Sequence, residues 1–174
     1  MSATSISTRR RCPPPTGSAR KGKDSGSRCA CSTAAGFTSP RSAGISERLI
    51  ADAVAYATER KQFGKPLADF QLIQAMIADS KTDTMAAKAL VLETAALRDQ
   101  GKAITLEAAA AKYFASESVG RVADRAVQIF GGAGYIADYG IERLYRDVRL
   151  FRIYEGTSQI QQLVIARETI RQGG

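Results

Sequence analysis

Histidine is absent from the 174 residues, cysteine occurs three times and proline five times. The missing imidazole removes the commonest metal ligand, and the thiols do not replace it: Cys29 and Cys31 enclose a single residue, which is not the spacing of a zinc knuckle. An odd cysteine count fits no disulfide framework either, so Cys12, Cys29 and Cys31 are expected to have no metal or redox role. No apolar run reaches membrane-spanning length, and the N-terminus lacks the apolar stretch of a signal peptide. The chain therefore reads as soluble and cytoplasmic, without a membrane partner. No segment alternates apolar and polar residues convincingly, so strands are not expected.

The formal charge of +8 is unevenly placed. Residues 1–43 hold eight Lys or Arg against Asp24 alone, whereas the remaining 131 residues hold 17 basic and 16 acidic side chains. A near-neutral main body without interleaved aromatics argues against a nucleic-acid partner. The leader also holds all the cysteines and four of the five prolines, and its polar composition, rich in Ser, Pro, Gly and Arg, predicts an irregular or disordered segment over 1–43.

From Gly44 the composition turns alanine-rich and helix-forming. Helices are predicted over about 45–59, 67–100, 105–130, 141–147 and 157–171. Phe70, Ile73, Ile77, Met85, Ala89, Leu92 and Ala96 form the expected inner stripe of the second helix, with Gly101 its stop. Thr105 is placed to cap the third, whose stripe runs Phe114, Val119, Val122, Ala126, Ile129. The predicted fold is all-α, an antiparallel four-helix-type bundle over 44–174 behind the leader.

Three stretches stand apart: "YATERKQFGKPL" (56–67), "AVQIFGGAGY" (126–135) and "RDVRLFRIYEGTSQIQ" (146–161). Taken alone, each has a plain reading. Arg60 suits a solvated helix end, although its planar guanidinium also suits a pyrophosphate. "FGGAGY" follows a helix and lacks G-x-G-x-x-G spacing, which makes it a helix-ending turn rather than a phosphate loop. Thr157 is placed as an N-cap, and Glu155 as an acid at the positive end of a helix dipole.

In this order and at these spacings the stretches resemble the C-terminal helical domain of the acyl-CoA dehydrogenase family, over residues 44–172. The resemblance implies FAD as cofactor. It implies that Gln128, Gly131 and Gly132 line the adenosine portion of FAD bound to a neighbouring subunit, where absent side chains permit close approach. Arg60 would reach the pyrophosphate across the interface, with Phe63 and Gln71 packing near it. Thr157 and Gln159 would hydrogen-bond FAD. A homo-oligomer (dimer or tetramer), an acyl-CoA substrate and an electron-transferring flavoprotein as acceptor are implied with it.

Glu155 is by the same resemblance the catalytic base. It would take a proton from the α-carbon of the thioester while hydride leaves the β-carbon for the flavin, giving a trans-2-enoyl-CoA. A carboxylate is a weak base for such a carbon acid. Water exclusion by the acyl chain strengthens it, hydrogen bonds to the thioester oxygen stabilise enolate-like charge, and the helix start behind it opposes both.

Family members carry an N-terminal helical domain and a middle β-domain before the bundle, so a truncated chain, impaired when isolated, is also implied. The leader fits this. Back-translated with suitable codons and read one base out of phase, residues 20–28 spell E-E-G-K-G-F-R-I-A, while 12–19 and 32–41 give V-P-A-A-N-R-I-G and L-D-G-G-R-I-H-I-A-A. These resemble the family's lead into its first bundle helix. Residues 12–42 are therefore expected to be an out-of-frame reading, with the frame restored near Gly44; gene codons that fail to spell these segments would refute it. The alternative function is a non-catalytic helical module for oligomerisation.

Overall fold

The computed structural model describes residues 26–173, with side chains from residue 40 onward. Residues 1–25, which hold much of the predicted leader, lie outside the described residues. From Gly26 the backbone is already helical: α1 spans Gly26–Glu59 with Pro40 inside it. The predicted irregular segment is thereby corrected over 26–43. Proline removes one donor, yet its fixed φ is a helical one. Just beyond it Ser42 and Ser46 are buried on the face that continues through Leu49, Ala53 and Ala57, so packing supports the helix there.

After α1, β1 (Lys61–Gln62) and β2 (Lys65–Pro66) pair antiparallel, Lys61 opposite Pro66. A two-residue ladder is too short to leave an alternating pattern in the sequence. A 3-10 turn at Leu67–Asp69 follows, and Phe70 in extended conformation delays α2 to Gln71–Asp99. Gly101, at φ 74°, ends α2 as predicted. Its N–H donates to the carbonyl of Arg98 (2.8 Å) and that of Lys102 to Leu97 (3.2 Å), the paired bonds of a Schellman motif.

α3 spans Thr105–Phe130, with Ile104 rather than Thr105 at the cap position and no side-chain cap bond. The first helical hydrogen bond, Ala108 N–H to Ile104 C=O at 2.8 Å, already encloses Thr105. Then come α4 (Gly132–Tyr135), a 3-10 turn at Ala137–Tyr139, α5 (Ile141–Leu150) and α6 (Ser158–Gly173). Among the described residues no helix is long and apolar enough to cross a membrane.

α3 is the hub, touching α1, α2, α5 and α6. Its buried residues are mostly small, including Ala108, Ala109, Ala111, Ala115, Ala123 and Ala126, with Val119, Val122 and Ile129 among them. Small side chains let the neighbouring helices approach closely, and Leu49, Ala53 and Ala57 of α1 fill one side of the resulting core.

The inner stripe of α2 is only half the predicted one. Ile73 and Ile77 pack on the core, but the buried positions then run Ser80, Thr84, Ala87, Thr94, while Met85 and Leu92 are 62% and 61% exposed. The hydroxyls of Ser80, Thr84 and Thr94 donate to the carbonyls of Met76 (2.7 Å), Ser80 (2.8 Å) and Leu90 (2.8 Å). Being satisfied within the helix, they can be buried where an apolar pattern does not mark them. On the adjoining edge Asp83 of α2 accepts from Arg121 (2.8 and 3.1 Å) and Arg125 (2.8 Å) of α3. The hydrogen bonds from Arg121, helped by Arg125, hold the Asp83 carboxyl below its ordinary value despite partial burial.

Candidate functional site

The site residues fall into two groups at different levels of the bundle. The first is a corner where α1 and α3 both end. Tyr56 stacks on Phe130, with ring centroids 4.1 Å apart and planes 15° apart, and Tyr139 meets both rings edge-on at 5.9 Å. One turn beyond Tyr56, the N–H of Arg60 donates to the Tyr56 carbonyl (2.9 Å), and Leu67 donates to that of Arg60 (2.8 Å), so the β1–β2 hairpin folds back beside the helix end.

Phe63 and Gly64 form the hairpin tip at φ 51° and 82°. Two successive left-handed residues match a primed two-residue turn, whose twist suits the hairpin. A phenylalanine there is unusual, because a non-glycine residue in this region is strained. The turn presents the Phe63 side chain, 93% exposed, edge-on to Phe70 at 6.4 Å. Arg60, Gln71 and Gln128 are exposed as well.

Next to Phe130, Gly131 ends α3 at φ 60°, ψ −137°, a conformation open to glycine. A Cβ built on Gly131 or Gly132 meets nothing within 4 Å beyond the adjoining backbone, so the corner is an open floor. Arg60, Phe63, Gln128, Gly131 and Gly132 thus share one end of the bundle, with Gln71 at the start of the helix after the hairpin.

The second group is the turn between α5 and α6. Phe151 caps α5, and Tyr154 leans on it at 5.8 Å. Glu155 and Gly156 then take φ 55° and 89°, reversing the chain into α6. Thr157 is the N-cap of α6: its hydroxyl oxygen accepts from Ile160 N–H (3.4 Å) and its carbonyl from Gln161 N–H (3.0 Å). The side chains of Glu155 and Gln159 stand at the exposed surface. Beside the turn, Ile45, Leu150, Phe151 and Tyr154, with Arg41 and Asp147, line an open groove of about 610 Å³.

Several residues that the motifs did not single out hold this turn. The buried Nζ of Lys112 donates to the carbonyls of Phe151 (2.9 Å) and Gly156 (2.7 Å). Gln161 Nε2 donates to the carbonyls of Glu155 (3.2 Å) and Gly156 (3.4 Å). Ser158 Oγ donates to Glu117 Oε1 (2.6 Å), and Arg152 pairs with the same carboxylate at 3.2 Å. Each partner is a long way off in the chain or hidden in a helical stretch, so spacing alone does not reveal it.

The turn and the corner are not brought together within one chain. Glu117 anchors the turn and Gly131 marks the corner; the 14 residue steps from one to the other amount to about 20 Å along the axis.

What fold and site define is an all-α domain that presents a carboxylate turn at one level and an open glycine corner at another, both facing outward. Residues 36–170 match the family described as acyl-CoA dehydrogenase, C-terminal domain. The chain belongs to the acyl-CoA dehydrogenase family.

It is 53% identical over 126 residues to the caffeyl-CoA reductase-Etf complex subunit CarC of Acetobacterium woodii, covering 72% of this chain and 33% of that protein. It is 45% identical over 128 residues to the short-chain specific acyl-CoA dehydrogenase of Megasphaera elsdenii, covering 74% and 33%. The solved butyryl-CoA dehydrogenase from Megasphaera elsdenii superposes with a TM-score of 0.79 at 41% identity, covering 83% of this chain and 39% of that one. The chain spans about a third of the length of these relatives.

Proposed function

We propose that this chain supplies the base and part of the flavin-facing surface for FAD-dependent interconversion of an acyl-CoA thioester and its trans-2-enoyl-CoA. The observation that carries the reading is Glu155, exposed on a left-handed turn directly after Tyr154, which lines the apolar groove. The family implies FAD, and the corner fits it: a floor without side chains at Gly131 and Gly132, a neighbouring guanidinium at Arg60 and an exposed ring at Phe63 suit an anionic dinucleotide. Gln71 and Gln128 would complete the contacts at the corner, while Thr157 and Gln159, on the turn, would meet the flavin served by Glu155. When bound, FAD supplies the two-electron redox chemistry.

The protein's own part is proton handling. Glu155 takes the α-proton, and its own N–H, by the family's pattern, donates to the thioester oxygen. A proton acceptor at a substrate carbon is worth about 10²–10⁴ in rate. In the reverse direction the protonated carboxyl returns a proton to the same carbon, and the reductase name of the Acetobacterium woodii relative makes that direction a second reading.

Because the corner lies about 20 Å along α3 from Glu117, which anchors the turn carrying the base, we assign it to the flavin of a neighbouring copy, in a dimer or tetramer. An electron-transferring flavoprotein is the expected acceptor. The 174 residues alone are expected to turn over more slowly than the longer relatives.

The test is direct. The purified chain should take up FAD, seen as bound flavin absorbance, and exchange the α-protons of butyryl-CoA for solvent deuterium. Glu155→Gln should keep the flavin and lower the exchange about 10²–10⁴-fold. A colourless, monodisperse oligomer without exchange would favour the non-catalytic helical module instead.

A further inference from the structure

We infer that Lys112 is a positioning residue for Glu155, its buried ammonium tying together the two ends of the turn that carries the carboxylate. The inference rests on the reading of Glu155 as base. Lys112 lies in the second turn of α3 and is 1% exposed. The carbonyls of Phe151 and Gly156, which accept from it, stand immediately outside residues 152–155, so the ammonium closes the mouth of the loop. Phe151 is also the C-cap of α5, which places the cation at the negative end of that helix.

A buried ammonium is costly to desolvate, and a methionine would fill the same space without a charge. What a methionine cannot do is hold two carbonyls at once. The turn needs such a hold: Glu155 is a non-glycine residue in left-handed conformation followed by Gly156 in the same region, and that backbone persists only where its surroundings over-determine it. Gln161 of α6 adds donors to the carbonyls of Glu155 and Gly156 from the other side. Arg152 lies across Gly120, where a Cβ would occupy the space of its guanidinium, and reaches Glu117 of α3. The donors from α3 and α6 converge on the backbone of one short turn, so the place of the carboxylate is inherited from the bundle.

Lys112→Met keeps the volume and removes the donor. Amide hydrogen exchange of residues 152–158 should accelerate about tenfold or more, while the slowest amides of α1 and α3 stay within about twofold of wild type. In FAD-loaded protein the same variant should lower the maximal rate of α-deuterium exchange into butyryl-CoA more than it changes the half-saturating concentration. Unchanged protection at 152–158, or protection lost evenly across the bundle, overturns the inference. If wild type and Glu155→Gln are equally inert toward the thioester, the base reading fails, and the amide pattern still decides whether Lys112 holds the turn. Should Lys112→Met not fold, Gln161→Met, which removes the second donor to the Gly156 carbonyl, must show the same local pattern or the inference falls.

Discussion

Gly131 and Gly132 are adjacent, yet they are glycine for different reasons. At Gly131 the backbone lies at φ 60°, ψ −137°, whereas Gly132 begins α4. A built Cβ at either position meets nothing within 4 Å beyond the adjoining backbone. Gly131→Ala should therefore cost about 1–3 kcal/mol through backbone strain alone. Gly132→Ala should leave thermal stability nearly unchanged and weaken FAD binding, because the added methyl would stand only in the way of a ligand. Melting curves beside a flavin titration separate the two, and equal flavin affinity in Gly132→Ala would remove the corner from the binding surface. Glu155, Gly131 and Gly132 are visible in the sequence because their motifs are local. Lys112 is not: it sits in "AAAAKYFA", and the carbonyls it holds at the turn lie 39 and 44 residues further along.

At the level of elements, periodicity found the helices but not all their faces. The α3 stripe from Val119 to Ile129 is buried as predicted, since apolar side chains mark it. The second half of the α2 stripe is displaced because hydroxyls bonded to their own helix occupy the inner positions. Composition marked residues before Gly44 as irregular, yet local composition is a weak prior where a helix gains packing further along.

The α2–α3 edge offers its own test. Asp83 is held below its ordinary carboxyl value of 3.8, chiefly by Arg121. A depressed folded value means stability that is fully present above the unfolded value and lost as pH falls through the folded one. Asp83→Asn should cost about 1–3 kcal/mol at neutral pH. The gap in melting temperature between variant and wild type should stay constant down to that ordinary value and narrow below it. A gap that persists unchanged into stronger acid would show that Asp83 contributes nothing through its charge.

For the whole molecule, the separation between turn and corner predicts complementation between subunits. If each site takes its base from one copy and its arginine from another, Glu155→Gln and Arg60→Ala chains should each be impaired alone. Mixed and reassembled as dimers, they should recover about a quarter of the wild-type sites, since half the dimers are mixed and each mixed dimer holds one intact site. No recovery in mixtures that demonstrably exchange subunits would place both residues in the same site of one chain.

One consequence follows from α3 carrying both anchors on a single uninterrupted helix. Each residue turns the axis by about 100°, so one residue inserted or deleted between Glu117 and Gly131 would swing the corner away from the direction the turn faces. The stretch between the two landmarks is therefore a ruler of fixed length. An insertion in a loop on either side, such as the one that opens at Gly101, should leave the arrangement intact, whereas one inside the interval should destroy it even with every motif residue in place.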